Sequence, residues 1–131
     1  MRYFTIEQRE SLERMMKARA TELRREIVDA LERADAEDAG HLVNRFEEVD
    51  DASLANLEES IDLASLQRDV RELREVSEAL KRLHTPDFGV CSDCGGDIPF
   101  ARLEVQPVAI RCRACEALSE QRHAQNVHAA L

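Results

Sequence analysis

The sequence predicts a mainly α-helical protein: a long antiparallel helical hairpin of coiled-coil character, joined to a small C-terminal four-cysteine zinc-finger domain that ends in a helix. Three observations carry this expectation. Apolar residues recur every three or four positions through much of the chain, only 4 Gly and 3 Pro interrupt 131 residues, and the 4 Cys fall into two C-x2-C pairs. Charged residues make up 34% and aromatic residues 4%, so the apolar 44% is mostly Ala, Leu and Val. That mixture favours amphipathic helices over the wide, aromatic-rich core of an enzyme with a deep pocket.

The second arm of the hairpin gives the cleanest stripe. Leu54, Leu57 and Ile61, then Leu66, Val70, Leu73, Val76, Leu80 and Leu83, step mostly by three and four and define a helix from Leu54 to Leu83. At 1.5 Å per residue such a helix is roughly 45 Å long, and its apolar face needs a partner. The first arm supplies one through Leu12, Met16, Leu23, Ile27, Leu31 and Ala34, continuing with Leu42, Phe46 and Val49. Asp35 to Gly40 interrupts this arm, and the helix-weakening Gly40 predicts a kink or break near Ala39-Gly40-His41. The stripe pauses at residues 47–53, which predicts the turn between the arms. Asp51 or Ser53 would cap the second helix there, and the plain reading of this acidic cluster is a solvated, capped turn.

Pro86, which cannot continue a helix, marks a boundary at Thr85-Pro86-Asp87-Phe88-Gly89. Residues 1–84 form the expected hairpin, with its tip near 47–53, and residues 85–131 the zinc-finger domain and C-terminal helix. The net charge of −9 belongs mainly to the first part. Self-repulsion of this sign extends to a phosphate backbone, so independent nucleic-acid binding is not expected. No stretch has the length and apolarity of a membrane span or a signal peptide, and the reading is a soluble, unprocessed, cytoplasmic chain, most simply a monomer.

Cys91-Ser92-Asp93-Cys94 and Cys112-Arg113-Ala114-Cys115 are separated by 17 residues, the spacing of a tetrathiolate zinc site. Four thiolates close a tetrahedral coordination sphere and leave no position for a reactive water, so one structural Zn²⁺ is expected. A 47-residue segment needs such a staple. Gly95-Gly96 would let the backbone pass close to the sulfurs, and the segment from Glu116 to His123 reads as a helix whose N-terminus faces the second pair. Neither the pattern of a thioredoxin-like redox pair nor an oxidising compartment is indicated. Arg102, Arg111, Arg113 and Arg122 are matched by six acids, so the finger carries no basic, aromatic-studded nucleic-acid surface. His41, His84, His123 and His128 share no ligand spacing, and no catalytic constellation is present.

Asp87-Phe88-Gly89-Val90-Cys91, then Cys94-Gly95, Ile98-Pro99, Arg102-Leu103-Glu104, Pro107, Ala109 and the Cys112/Cys115 pair together resemble the DksA/TraR C4-type zinc-finger family. Glu72-Leu73, Glu75-Val76 and Ala79-Leu80 on the preceding helix fit as well. The resemblance runs from about Asp50 to Arg122, whereas residues 1–49 resemble only a generic coiled-coil arm. It implies a bacterial regulator of transcription that binds RNA polymerase directly, inserting its hairpin into the secondary channel while the finger rests on the rim. The family's acidic tip has an Asp-x-Ala pattern. Ungapped counting puts its Asp on Asp51, followed by Ala52 and Ser53, and a shift of one gives Asp50-Asp51-Ala52, so both aspartates are tip candidates.

The resemblance also brings a departure. Members that respond to guanosine tetraphosphate use basic residues where this chain has Glu75, Gln106 and Glu116, which implies a regulator of initiation without an alarmone site of its own. Two other functions remain open at this point. The hairpin could dock on a non-polymerase protein as an adaptor, or the tip carboxylates could hold Mg²⁺ and assist transcript cleavage.

Overall fold

The structure, a computed structural model, describes residues 4–33 and 63–129, with side chains through residue 126. The described residues form four helices in chain order: α1 (Ile6–Arg33), α2 (Leu63–Arg82), α3 (Phe100–Val105) and α4 (Arg113–Ala129). The expected kink at 39–41, the turn at 47–53 and the apolar positions from Ala34 to Ile61 lie outside the described residues.

A reciprocal cap fixes the start of α1. Gln8 N–H donates to Thr5 Oγ1 at 3.0 Å while Thr5 N–H donates to Gln8 Oε1 at 2.9 Å, satisfying two backbone donors that a helix start otherwise leaves unpaired. Phe4, just before the cap, lies 5.8 Å from the Arg9 guanidinium carbon, so a cation–π contact takes the place of the usual apolar staple.

α1 and α2 run antiparallel along one seam. α1 buries Leu12, Met16, Ala20, Leu23, Ile27 and Leu31, and α2 buries Leu66, Val70, Leu73, Val76 and Ala79. Two polar ties set the register. Arg9 Nη1 donates to the Leu83 carbonyl, and Arg19 grips both carboxylate oxygens of Glu72, with Nη2 to Oε1 at 2.9 Å. As residue number rises on α1 it falls on α2, which is the expected antiparallel sense. Leu80 is only half-buried, and Ala79 takes the innermost place beside it. Ala20 occupies a similar position on α1, and small residues on a seam let helices approach closely.

α2 ends where Thr85 folds back, both its N–H and its hydroxyl donating to the Arg82 carbonyl at 2.8 Å. Pro86 prevents continuation. The apolar core nevertheless crosses this boundary. Leu83, Phe88, Cys91, Ile98 and Leu103 belong to the same buried cluster as the helical seam. Phe4 rests against Phe88 and Phe100, with ring centroids 5.7 and 6.3 Å apart and rings tilted at 60° and 53°. The two expected parts therefore share one core, with Phe4, just ahead of α1, packed between them.

Candidate metal centre

The first cysteine pair sits at the end of a rudimentary hairpin. Val90 and Asp97 form an isolated antiparallel bridge, Cys91 N–H donates to the Gly96 carbonyl at 2.8 Å, and Ile98 N–H to the Gly89 carbonyl at 2.8 Å. Gly89 and Gly95 have φ of 82° and 73°, a left-handed conformation that side chains with a Cβ disfavour. The two glycines after the pair differ in purpose. A Cβ on Gly95 would meet nothing, so its need is conformational, whereas one on Gly96 would lie 3.3 Å from Cys94 Sγ. Gly96 N–H also points at that sulfur, at 3.4 Å.

The second pair belongs to α4. That helix begins at Arg113, three residues earlier than the sequence pattern indicates, because the Cys112 carbonyl accepts the Glu116 N–H at 2.9 Å. Cys115 consequently sits in the first turn, near the positive end of the helix dipole. Ser92 N–H donates to the Ile110 carbonyl at 2.8 Å and holds the two knuckles side by side.

The folding brings all four expected ligands together. The Sγ atoms of Cys91, Cys94, Cys112 and Cys115 lie within 4.8 Å of one another, and those of Cys94 and Cys112 are 3.9 Å apart. A tetrahedral ion with Zn–S bonds of ~2.3 Å requires sulfurs about 3.8 Å apart, so the cluster has the size of a tetrathiolate zinc site. Its electrostatics point the same way. The backbone N–H groups of Cys94 and Cys112 draw the Cys91 thiol down to about 6, while hydrogen bonds with Cys112 and Cys91 push Cys115 up to about 12. Thiols so close cannot all ionise beside one another, and a divalent cation removes that conflict. Cys91 is 1% exposed and Cys94 lies at the surface. With four protein ligands the metal's part is structural.

No other cluster of three or more metal-capable side chains occurs among the described residues. His84 lies at the surface 3.9 Å from a Glu13 oxygen, and His123 is exposed. His41 and the side chain of His128 lie outside the described residues, as do the tip candidates Asp50, Asp51, Ala52 and Ser53.

The three positions of the family departure do converge. Glu75, Gln106 and Glu116 line one cleft of about 500 Å³ between α2 and the finger. Arg71, Arg74, Arg82, Arg102 and Arg111 line it too, together with Glu78. The sequence pattern does not show the whole set, because Arg102 and Arg111 come from segments that only the fold brings against the arginines of α2. The cleft is of mixed charge rather than acidic.

A helical pair carrying a four-cysteine zinc module is thus the class of protein that fold and site define. The profile of the prokaryotic dksA/traR C4-type zinc finger matches residues 86–121, the module just described. An RNA polymerase-binding transcription factor DksA from Haemophilus influenzae is 35% identical over 83 residues, which cover 63% of this chain and 57% of that protein. The DksA of Escherichia coli K12 is 35% identical over 66 residues, covering 50% and 44%. The solved structure of transcription factor DksA2 from Pseudomonas aeruginosa superposes with a TM-score of 0.65 at 28% identity, covering 93% of this chain and 90% of that one. The finger thus matches the DksA/TraR C4-type profile, and the chain as a whole is similar to DksA proteins in sequence and fold. The matches span about half the length of the curated relatives.

Proposed function

We propose that the protein is a non-enzymatic transcription factor that binds RNA polymerase directly, enters the secondary channel with its helical pair and modulates initiation. The observation that carries this reading is the likeness to DksA2, which extends over 93% of the chain and so includes the helical pair as well as the finger. The relatives matched over 83 and 66 residues are themselves named RNA polymerase-binding transcription factors. The physical form suits the task. α1 has 28 residues and is therefore about 42 Å long, a stiff probe whose seam is closed by its own partner helix. No helix among the described residues is long and apolar enough to cross a membrane.

In this reading Asp50 and Asp51 act at the far end of the hairpin through charge near the polymerase's catalytic Mg²⁺, while most binding area lies along the arms and finger. Zinc does no chemistry here. Cys91, Cys94, Cys112 and Cys115 hold it so that the finger keeps a fixed attitude at the base of the hairpin.

The test is co-elution of the zinc-loaded protein with core RNA polymerase, followed by promoter-complex lifetimes. Wild type co-elutes and alters lifetimes, whereas Asp50→Asn with Asp51→Asn co-elutes but leaves lifetimes unchanged. Failure of wild type to bind core polymerase removes the reading. Accelerated transcript cleavage in backtracked complexes would instead make the tip a Mg²⁺-assisted cleavage device.

A further inference from the structure

Arg111 stands one residue before Cys112 and joins parts of the finger that the chain keeps apart. Its Nε donates to Asp93 Oδ2 at 3.0 Å and its Nη1 to Glu116 Oε2 at 3.5 Å, while its carbonyl accepts Arg102 Nε at 3.0 Å. Asp93 lies between the first two zinc ligands and Glu116 directly follows the fourth. One guanidinium therefore spans both knuckles. It also forms part of the wall between two concavities. Arg111 and Glu116 face the cleft beside α2, and Arg111 and Asp93 face a polar groove of about 630 Å³ lined on its far side by Ser119, Arg122 and His123 of α4.

We propose that Arg111 is a positioning residue for zinc, a clamp that keeps the two thiolate pairs closed and slows loss of the metal. The argument is one of charge and geometry. A divalent zinc with four thiolates leaves the site at minus two, and Asp93 and Glu116 add two further negative charges beside it. Without Arg111 those carboxylates repel each other and the cluster, on the exposed side where Cys94 reaches the surface. A guanidinium fits the place because its planar fork addresses two acceptors at once, which a lysine ammonium on a single stem does poorly. Groups just outside the ligand shell commonly govern metal retention in this way.

The experiment measures release of zinc from the full chain into excess chromophoric chelator. Arg111→Met should release zinc about tenfold faster than wild type, within the range seen when outer-shell partners are removed. Arg111→Lys should fall between the two. Adding Asp93→Asn to Arg111→Met should recover part of the loss, because the repulsion the clamp opposes is then reduced; a merely space-filling arginine gives no such recovery. About 0.5 M salt should speed release from wild type and slow it from Arg111→Met, since both the pairs and the repulsion they oppose are partly exposed and open to screening. Cobalt substitution checks that each variant still forms the tetrathiolate site, through its charge-transfer bands. Should Arg111→Met fail to load, Asp93→Asn and Glu116→Gln each remove one arm and should release zinc faster than wild type, each by less than the loss of both arms. Wild-type release rates in all the arginine variants, or no recovery in the double variant, would overturn the clamp.

Discussion

Between α1 and α2 eleven side chains are buried, supplied by two helices whose apolar residues face each other along the whole described length. In the zinc module the buried side chains are those of Phe88, Cys91, Ile98 and Leu103, and one of these is a metal ligand. The helical pair is held by apolar area and the module by a metal. Both join in one cluster near Phe4, Leu83 and Phe88, so the attitude of the finger is fixed by packing on α1 rather than by a linker. The helical pair gains stiffness from a continuous seam, and the finger, with too few apolar residues of its own, gains a fixed shape from metal binding.

Removing zinc is the most severe way to pull the two regions apart. The purified protein should contain one zinc per chain, and chelation should unfold the segment from Asp87 onward, because a structural zinc supplies on the order of 10 kcal/mol that four buried side chains cannot replace. The seam between α1 and α2 should persist, so far-UV circular dichroism should retain most of its helical signal. Cys112→Ser should act in the same direction. Well under one equivalent of zinc in freshly reduced protein, or complete loss of helix on chelation, would break the comparison.

Leu73→Ala is the converse. Leu73 is 0% exposed at the middle of the seam, and truncating a buried leucine costs about 2–5 kcal/mol. Global stability should fall by that amount in denaturant titrations while zinc content stays at one per chain. Loss of zinc in this variant would mean that the seam, and not the thiolates, holds the finger together.

How far these regions could be read from sequence differs between them. The C-x2-C spacing named all four ligands, because metal coordination demands fixed residue types at short range. The three-and-four stripe located the helical seam but passed over Ala20 and Ala79, whose burial reflects close approach of the partner helix rather than their own hydrophobicity. It also placed Leu80 on the seam, where it packs against the core from a half-buried position. Phe4 gave no periodic signal, since its role arises from Phe88 and Phe100 far along the chain. The clamp at Arg111 and the arginines of the cleft were equally hidden. Arg111 and Arg102 find their partners on separate segments, and a count of charges along the finger shows only a balance.

A smaller effect should come from the Arg19–Glu72 pair, which bridges the helices at the surface. Hydrogen bonds from Arg19 hold Glu72 below the usual carboxylate range against the opposing pull of partial burial. A depressed carboxylate stabilises the fold above its unfolded pKa and loses that contribution as pH falls through the folded value. Glu72→Gln should therefore cost at most about 1 kcal/mol at neutral pH, with both side chains some 40% exposed. The difference from wild type should hold above about pH 5 and vanish in more acidic solution, where Glu72 is protonated in both states. A difference that persists into acid would assign the effect to packing. Zinc retention should be untouched.

The smallest effect is expected where the two regions meet. Glu75, Gln106 and Glu116 face one cleft, as do Arg71, Arg74, Arg82, Arg102 and Arg111. Net positive charge alone would invite a polyphosphate, yet much of it is already committed. Arg111 is held by Asp93 and Glu116, and Arg102 Nε by a backbone carbonyl. On α2, Arg71 precedes Glu75 by four residues, the spacing at which opposite charges on a helix attract, while Glu78 pairs with Lys81 at 3.6 Å. Guanosine tetraphosphate would have to exchange these contacts for its own, with two glutamates standing where positive charge would be needed. In vitro transcription, using polymerase whose separate alarmone site has been removed, should change by no more than about twofold on adding the alarmone, equivalent to ~0.4 kcal/mol. Several-fold enhancement, lost in Arg71→Ala or Arg74→Ala, would show that the cleft arginines had rebuilt a phosphate site at the junction of helix and finger.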